Sequence, residues 1–191
     1  MNTLKVLISQ WGNWSQRQES KAMLLEPSEL PGDGWKVSGG RSWRPGFDDY
    51  RDERSQRARL TGEYISLRYF EQPKNLRWLW TQVLPFTSEE DAIDALPHLP
   101  GRMNRNSERA FAESKIIGDL RVADVAHSIV FEESSTGLAG PGVGKYVCGN
   151  VNHIVFVVGC AMLGDEWPWG DVIVLAELQA RKVESCLYQA I

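Results

Sequence analysis

No sign of charge dominates this sequence. Against 21 lysines and arginines stand 25 aspartates and glutamates, a formal net charge of −4. Nucleic-acid binding needs a basic footprint, so no nucleic-acid partner is expected. Long apolar runs are missing too. No window approaches the roughly 20 apolar residues of a transmembrane helix, so no membrane span is expected. The apolar stretch in Met1–Ile8 is too short for a secretory signal and lacks a small-residue cleavage site, which predicts a cytoplasmic protein, or an exported one if the sequence is a piece of a longer chain. Cysteine is scarce. Cys148, Cys160 and Cys186 are an odd number without CxxC spacing, which argues against a disulfide framework or a zinc knuckle and predicts buried, reduced thiols. The three histidines, His98, His127 and His153, sit in separate segments, and Asp165-Glu166 is a single acidic pair. Nothing in that spacing asks for a metal, and no cofactor is expected.

Two motifs that look like chemistry fail on inspection. Gly137 to Tyr146 resembles a phosphate-binding loop, but Ala139 stands where the first glycine belongs and Tyr146 replaces the magnesium-binding hydroxyl. It also runs into a strand, whereas phosphate is held at the start of a helix. A cysteine nucleophile needs an activating histidine and an orienting partner, and His153 beside Cys148 and Cys160 brings neither the facing nor the third group. An enzyme is therefore not expected.

What the sequence does hold is tryptophan: eight in 191 residues, at 11 and 14, 35 and 43, 78 and 80, 167 and 169. Most large aromatics pack cores, and the remainder line binding grooves. If the entry to the C-terminal helix crosses the Trp78 strand, then Trp78, Trp80, Trp167 and Trp169 either close one end of the core or line a groove. Arg68 is the candidate cationic contact, with Arg77 or Arg105 as substitutes. The other basic cluster, Arg41 to Arg59, is interleaved with Asp48, Asp49, Asp52 and Glu53 and reads as a solvated, ion-paired face.

Hydrophobic periodicity predicts an α+β fold: a mostly antiparallel sheet packed, sandwich-like, against a C-terminal helix and a shorter middle helix. Residues 1–21 read as an arm or helix and residues 22–191 as a single domain. Leu4, Leu7, Ile8, Trp11 and Trp14 share one face of an amphipathic stretch over residues 3–23, so self-association through residues 3–20 is one possible role. Residues 36–58 read as a long loop with a short helix near Asp48–Arg57. Glu63–Phe70 and Leu76–Leu84 alternate like paired strands, with Trp78, Trp80 and Gln82 on one face and Leu79, Thr81 and Val83 on the other. Thr87 at the N-cap and Glu90 three residues on predict a capped helix. Ala110–Ile117 and Ser128–Glu133 read as strands, and Ser134–Gly142 as a loop. Val143–Cys148 and Ile154–Cys160 form a central hairpin turning at Gly149-Asn150. A final helix starts with Asp171 at its N-cap and carries Val172, Leu175, Ala176, Gln179, Val183, Cys186 and Leu187 on one face.

This order also resembles a known group. The Trp78-Trp80 strand, Phe86 before Thr87-Ser88-Glu89-Glu90-Asp91-Ala92, and the Leu99-Pro100-Gly101-Arg102 turn form its first half. The loop to Gly144, the valine-rich hairpin ending near Cys160, and Trp169 before a helix with Glu177-Leu178-Gln179-Ala180-Arg181 form its second. Leu24-Leu25, Leu30-Pro31 and Trp35 look like the opening segment. The pattern, over residues 22–190, resembles the sensor-like domains of actinobacterial lipoproteins and the extracellular part of some mycobacterial Ser/Thr kinases. The resemblance implies a sensor or ligand-binding role without catalysis on a sheet-and-helix sandwich. The expected partner is a small molecule or a protein bound through an aromatic-lined face. The alternatives are an assembly subunit using its N-terminal helix, or an enzyme whose site is assembled from distant residues.

Overall fold

The computed structural model describes residues 17–43, 64–75, 77–100, 113–118, 120–137, 140–162 and 167–189. Expectations that fall on residues 3–16, on the helix near Asp48–Arg57, on Arg105 and on Asp165-Glu166 lie outside them. Residues 17–22 are helical (α1). Then come β1 (Lys36–Trp43), β2 (Ile65–Gln72), β3 (Arg77–Pro85), α2 (Glu89–Ala95), β4 (Glu113–Ile116), β5 (Ser128–Gly137), β6 (Gly140–Val151), β7 (Ile154–Met162) and α3 (Trp169–Gln189). The strands make one seven-stranded sheet in the order β1-β2-β3-β7-β6-β5-β4. Every neighbouring pair is antiparallel. The α+β class expected from the sequence is the one observed.

Each face of the sheet has its own core, because successive side chains in a strand point to opposite sides. On one side Leu79, Val83, Val147, Phe156, Val158 and Cys160 meet Val172, Leu175, Ala176 and Val183 of α3. On the other, Ile65, Leu84, Val155, Val157 and Cys148 meet Ala92 and Ala95 of α2 and the short 3-10 turn Leu96–His98. The unbroken run Ile154–Val158 is buried at every position, which is the signature of a strand covered on both faces. We call the two faces the α3 side and the α2 side.

A strap over residues 23–35 completes the α3 side. Leu24, Leu25, Leu30 and Trp35 enter that core. Three of its backbone carbonyls are taken by side chains of the scaffold. Arg68 donates to the Leu25 carbonyl at 2.5 Å and Gln179 to that of Met23 at 2.5 Å, while Gln72 donates to that of Asp33 at 2.6 Å. Arg68 also pairs with Glu26 at 2.6 Å, and Lys182 of α3 with Glu29 at 2.7 Å. In α1, Ser20 is buried and shares a hydrogen bond with Ser66 of β2.

Several local expectations are corrected. Lys36–Trp43 is a strand, where a loop was expected. Its Gly-Gly-containing sequence has little β-propensity of its own, and β2 supplies the template it pairs with. An irregularity between Val37 and Gly39 marks this exposed edge, as is common at sheet borders. Ser134–Gly142 is likewise mostly ladder, since β5 and β6 pair from Ser128 opposite Gly149 to Gly137 opposite Gly140.

The central hairpin turns at Asn152-His153, not at Gly149-Asn150, because Val151 lies opposite Ile154. Asn152 takes the left-handed backbone (φ 51°) that asparagine tolerates. Gly149 serves packing instead, since a Cβ there would sit 2.7 Å from the Phe156 ring. Helix α2 is capped by Ser88, which accepts from the Asp91 amide at 3.1 Å, while Thr87 bonds the Asp91 side chain. Helix α3 begins at Trp169, so Asp171 lies in its first turn, where its charge suits the helix dipole.

Candidate functional site

Strand register lays the α2 side out as rows running across the sheet. One row reads Lys36, Glu71, Trp78, Ala161, Gly144, Glu133, Ser114. The next reads Gly39, Tyr69, Trp80, Gly159, Tyr146, Phe131, Ile116. Beyond these, toward Leu84 and Val157, α2 and its 3-10 turn cover the sheet. Within the first two rows Phe131, Tyr146 and Glu133 are buried, and the open part lies at the β2–β3 end. Tyr69 is 42% exposed and Trp78 36%.

Two glycines set the height of this surface. A Cβ on Gly159 would lie 2.1 Å from Cε2 of Trp80, so the indole rests directly on the bare backbone. A Cβ on Gly144 would lie 2.9 Å from the Tyr146 ring. Freed to lie flat, Tyr146 meets Trp80 edge-on at 5.3 Å and stacks on Phe131 at 4.8 Å. The result is a run of ring contacts from Trp80 through Tyr146 to Phe131, of the kind worth about 0.5–1.5 kcal/mol per ring pair beyond area burial, with Tyr69 next to Trp80 in the row.

Electrostatics locks its inner end. Glu133 is buried (2% exposed) opposite Gly144, accepts from the Ser114 hydroxyl at 3.1 Å, and is hydrogen-bonded to Tyr146. Burial first, and then the Glu133 charge and hydrogen bond, push the Tyr146 phenol far above its ordinary range. Tyr146 therefore stays a neutral donor to the carboxylate.

The five residues singled out from the sequence divide between the two faces. Trp78 and Trp80 stand on the α2 side. Arg68, Trp167 and Trp169 stand on the α3 side, because Arg68 is opposite Thr81 and Trp167 joins the α3 core. There Trp167 stacks on Trp35 at 6.0 Å and donates to the Ala161 carbonyl at 3.0 Å. The Arg77 guanidinium lies 4.8 Å over the Trp167 ring, and Lys145 lies 5.0 Å over Trp169 while donating to the Trp167 carbonyl at 2.8 Å. These three fasten the strap and the start of α3. Sequence reasoning missed Tyr69, Tyr146, Glu71 and the two glycine seats. Only the register of β2, β3, β7 and β6 could have placed them together.

Among the described residues, reactive groups are not gathered at this surface. Cys148 and Cys160 are fully buried on opposite faces, and burial raises both thiols well above their ordinary value. The Glu133 charge adds to this for Cys148, and Asp171 adds to it for Cys160 against a smaller opposing effect of Arg77. Burial also raises Cys186. Neither interior thiol is a thiolate at neutral pH. Among the described residues no group of three or more His, Cys, Asp or Glu side chains is placed to hold a metal, and no helix is long and apolar enough to cross a membrane. What the arrangement offers chemically is flat, half-exposed aromatic area with an acid and a base beside it.

No family model matches the chain, and no curated protein does. Solved structures do. The extracellular domain of PknH from Mycobacterium tuberculosis superposes with a TM-score of 0.59 at 12% identity, over 88% of this chain and 96% of that one. An uncharacterized protein from Mycobacterium smegmatis, an Rv0999 ortholog, reaches a TM-score of 0.48 at 9% identity over the same shares. The expectation of a cytoplasmic protein is corrected here, since the first of these is an extracellular domain. The chain has the fold of a mycobacterial kinase extracellular domain, as the sequence resemblance implied.

Proposed function

We propose that this chain is a non-enzymatic, sensor-like domain of an exported actinobacterial protein. It binds its ligand or partner on the α2 side of the sheet, with Tyr69, Trp78 and Trp80 as contact surface. The observation that carries the reading is the pair of half-exposed rings, Tyr69 and Trp78, on the part of the face beyond α2. A free surface seldom leaves large aromatics side by side without a use, because each exposed ring forgoes burial energy. The likeness to an extracellular domain supports placement outside the cell. The lack of a lowered-pKa nucleophile among the interior thiols supports binding over catalysis.

The test is intrinsic tryptophan fluorescence and thermal melting against a metabolite and lipid panel, with Trp78→Phe and Trp78→Ala as comparisons. A binder that raises the melting temperature and shifts emission in the native chain, and raises the melting temperature less in Trp78→Ala than in the ring-keeping Trp78→Phe, supports the aromatic face. A melting temperature that ignores every compound but rises with protein concentration overturns it, and points to self-assembly instead.

A further inference from the structure

We infer that the ligand of this face is an uncharged saccharide, stacked on Trp78 and Tyr69 and hydrogen-bonded at its rim by Glu71 and Lys36. The inference rests on the reading above that these rings form the binding surface. Size argues first. A Trp or Tyr side chain carries roughly 150–250 Å², so the exposed fractions of 36% and 42% leave only about 120–200 Å² open on the two residues together. A stable protein interface needs about 800 Å² per partner. The two rings supply only a fraction of that, an area that matches one or two rings of a small ligand.

Shape and charge narrow the class. Trp78 and Tyr69 stand on adjacent strands at diagonal positions, since Trp80 is opposite Tyr69 and Trp78 opposite Glu71. Diagonal side chains of neighbouring strands lie roughly 7–8 Å apart, a span one flat six-membered ring bridges. The surface is open, whereas a wholly apolar small molecule gains its affinity by burial in a concave pocket. Lys36 and Glu71 face one another across β1 and β2, beside Trp78. An anion would meet Glu71, a cation would meet Lys36, and the pair adds no net charge. Together they offer donors and acceptors to hydroxyl groups around a neutral ring. A pyranose has a carbon–hydrogen face that packs on an aromatic plane and a rim of hydroxyls that both donate and accept.

The experiment titrates the full chain with neutral gluco-, galacto-, manno- and arabino-oligosaccharides, with hexuronic-acid oligosaccharides, and with a flat apolar dye. Binding is read by tryptophan emission and calorimetry. The expected result is saturable binding of a neutral saccharide, weakened at least tenfold by Trp78→Ala and by Tyr69→Ser and less by Glu71→Gln. Circular dichroism checks that each variant is folded, and Trp78→Phe, which keeps a ring, should retain most of the binding. If the dye binds in a Trp78-dependent way and no neutral saccharide does, the saccharide inference is overturned and the aromatic face stands. Preference for the acidic oligosaccharides also overturns it. If nothing that binds is sensitive to Trp78→Ala or Tyr69→Ser, the aromatic face itself is overturned.

Discussion

Gly159 shows how far one missing methyl group can reach. A Cβ at that position would lie 2.1 Å from the Trp80 indole, 2.3 Å from its Cζ2 and 2.5 Å from its Nε1. Gly159→Ala must lift the ring, which in turn disturbs its edge contact with Tyr146. Overpacking of this kind costs about 1–3 kcal/mol, and chemical denaturation with tryptophan emission should show both the loss and a shifted native spectrum. Titration offers a second test at this scale. Cys148, Cys160 and Tyr146 fold in their neutral forms, with pKa values raised above the ordinary 9.0 and 10.0. Above those ordinary values the unfolded chain has released protons that the folded chain still holds. Stability from these groups is therefore complete below about pH 9 and falls as pH rises beyond it, by about 1.4 kcal/mol per pH unit for each group. Melting curves from pH 8 to 11 should show that decline, and replacing Cys148 and Cys160 with Ala should delay its onset toward the tyrosine range. A loss of stability that is the same with and without the thiols would contradict this account.

The strap is the element on which sequence and structure differ most instructively. Its apolar residues, Leu24, Leu25, Leu30 and Trp35, are visible in the sequence as candidates for burial, but their partners are not. Arg68 looked like a ligand contact because cations near aromatic pairs often are. It holds the Leu25 carbonyl and Glu26 instead. Arg68→Met keeps the aliphatic packing and leaves that carbonyl short of a donor, which should cost about 1–3 kcal/mol. Hydrogen exchange should accelerate over residues 23–30 while α2 is unaffected. Little of the cost should disappear at high salt if the carbonyl bond dominates, since Glu26 is half-exposed and its ion pair alone is screened.

At the scale of the molecule, one sheet carries two cores that share every central strand. Val155 and Val157 point to the α2 side while Phe156 and Val158 point to the α3 side. Neither core can come apart without stripping the other of its backing. Leu175→Ala from the α3 core and Phe86→Ala from the α2 core should each cost about 2–5 kcal/mol. Both should lower the same single melting transition, seen alike by calorimetry and by tryptophan emission. Two separable transitions would refute the shared-strand account.

The sequence by itself determined the class of fold and most of its elements. Alternation in β2 and β3, the unbroken apolar run of β7 and the helical spacing of Val172, Leu175, Ala176, Gln179 and Val183 are local patterns, written by the periods of strand and helix. Resemblance in the order of those elements was enough to indicate the extracellular-domain fold. Cross-strand register is a different matter. It fixed the turn at Asn152-His153, made a strand of the glycine-containing Lys36–Trp43, and set Trp80 opposite Gly159. Parity within a strand is readable from sequence, but parity between strands depends on how the loops close and which residues pair. Only tertiary structure brings Tyr69, Trp80, Gly159 and Tyr146 into one row, because they come from four strands whose alignment no local interaction specifies.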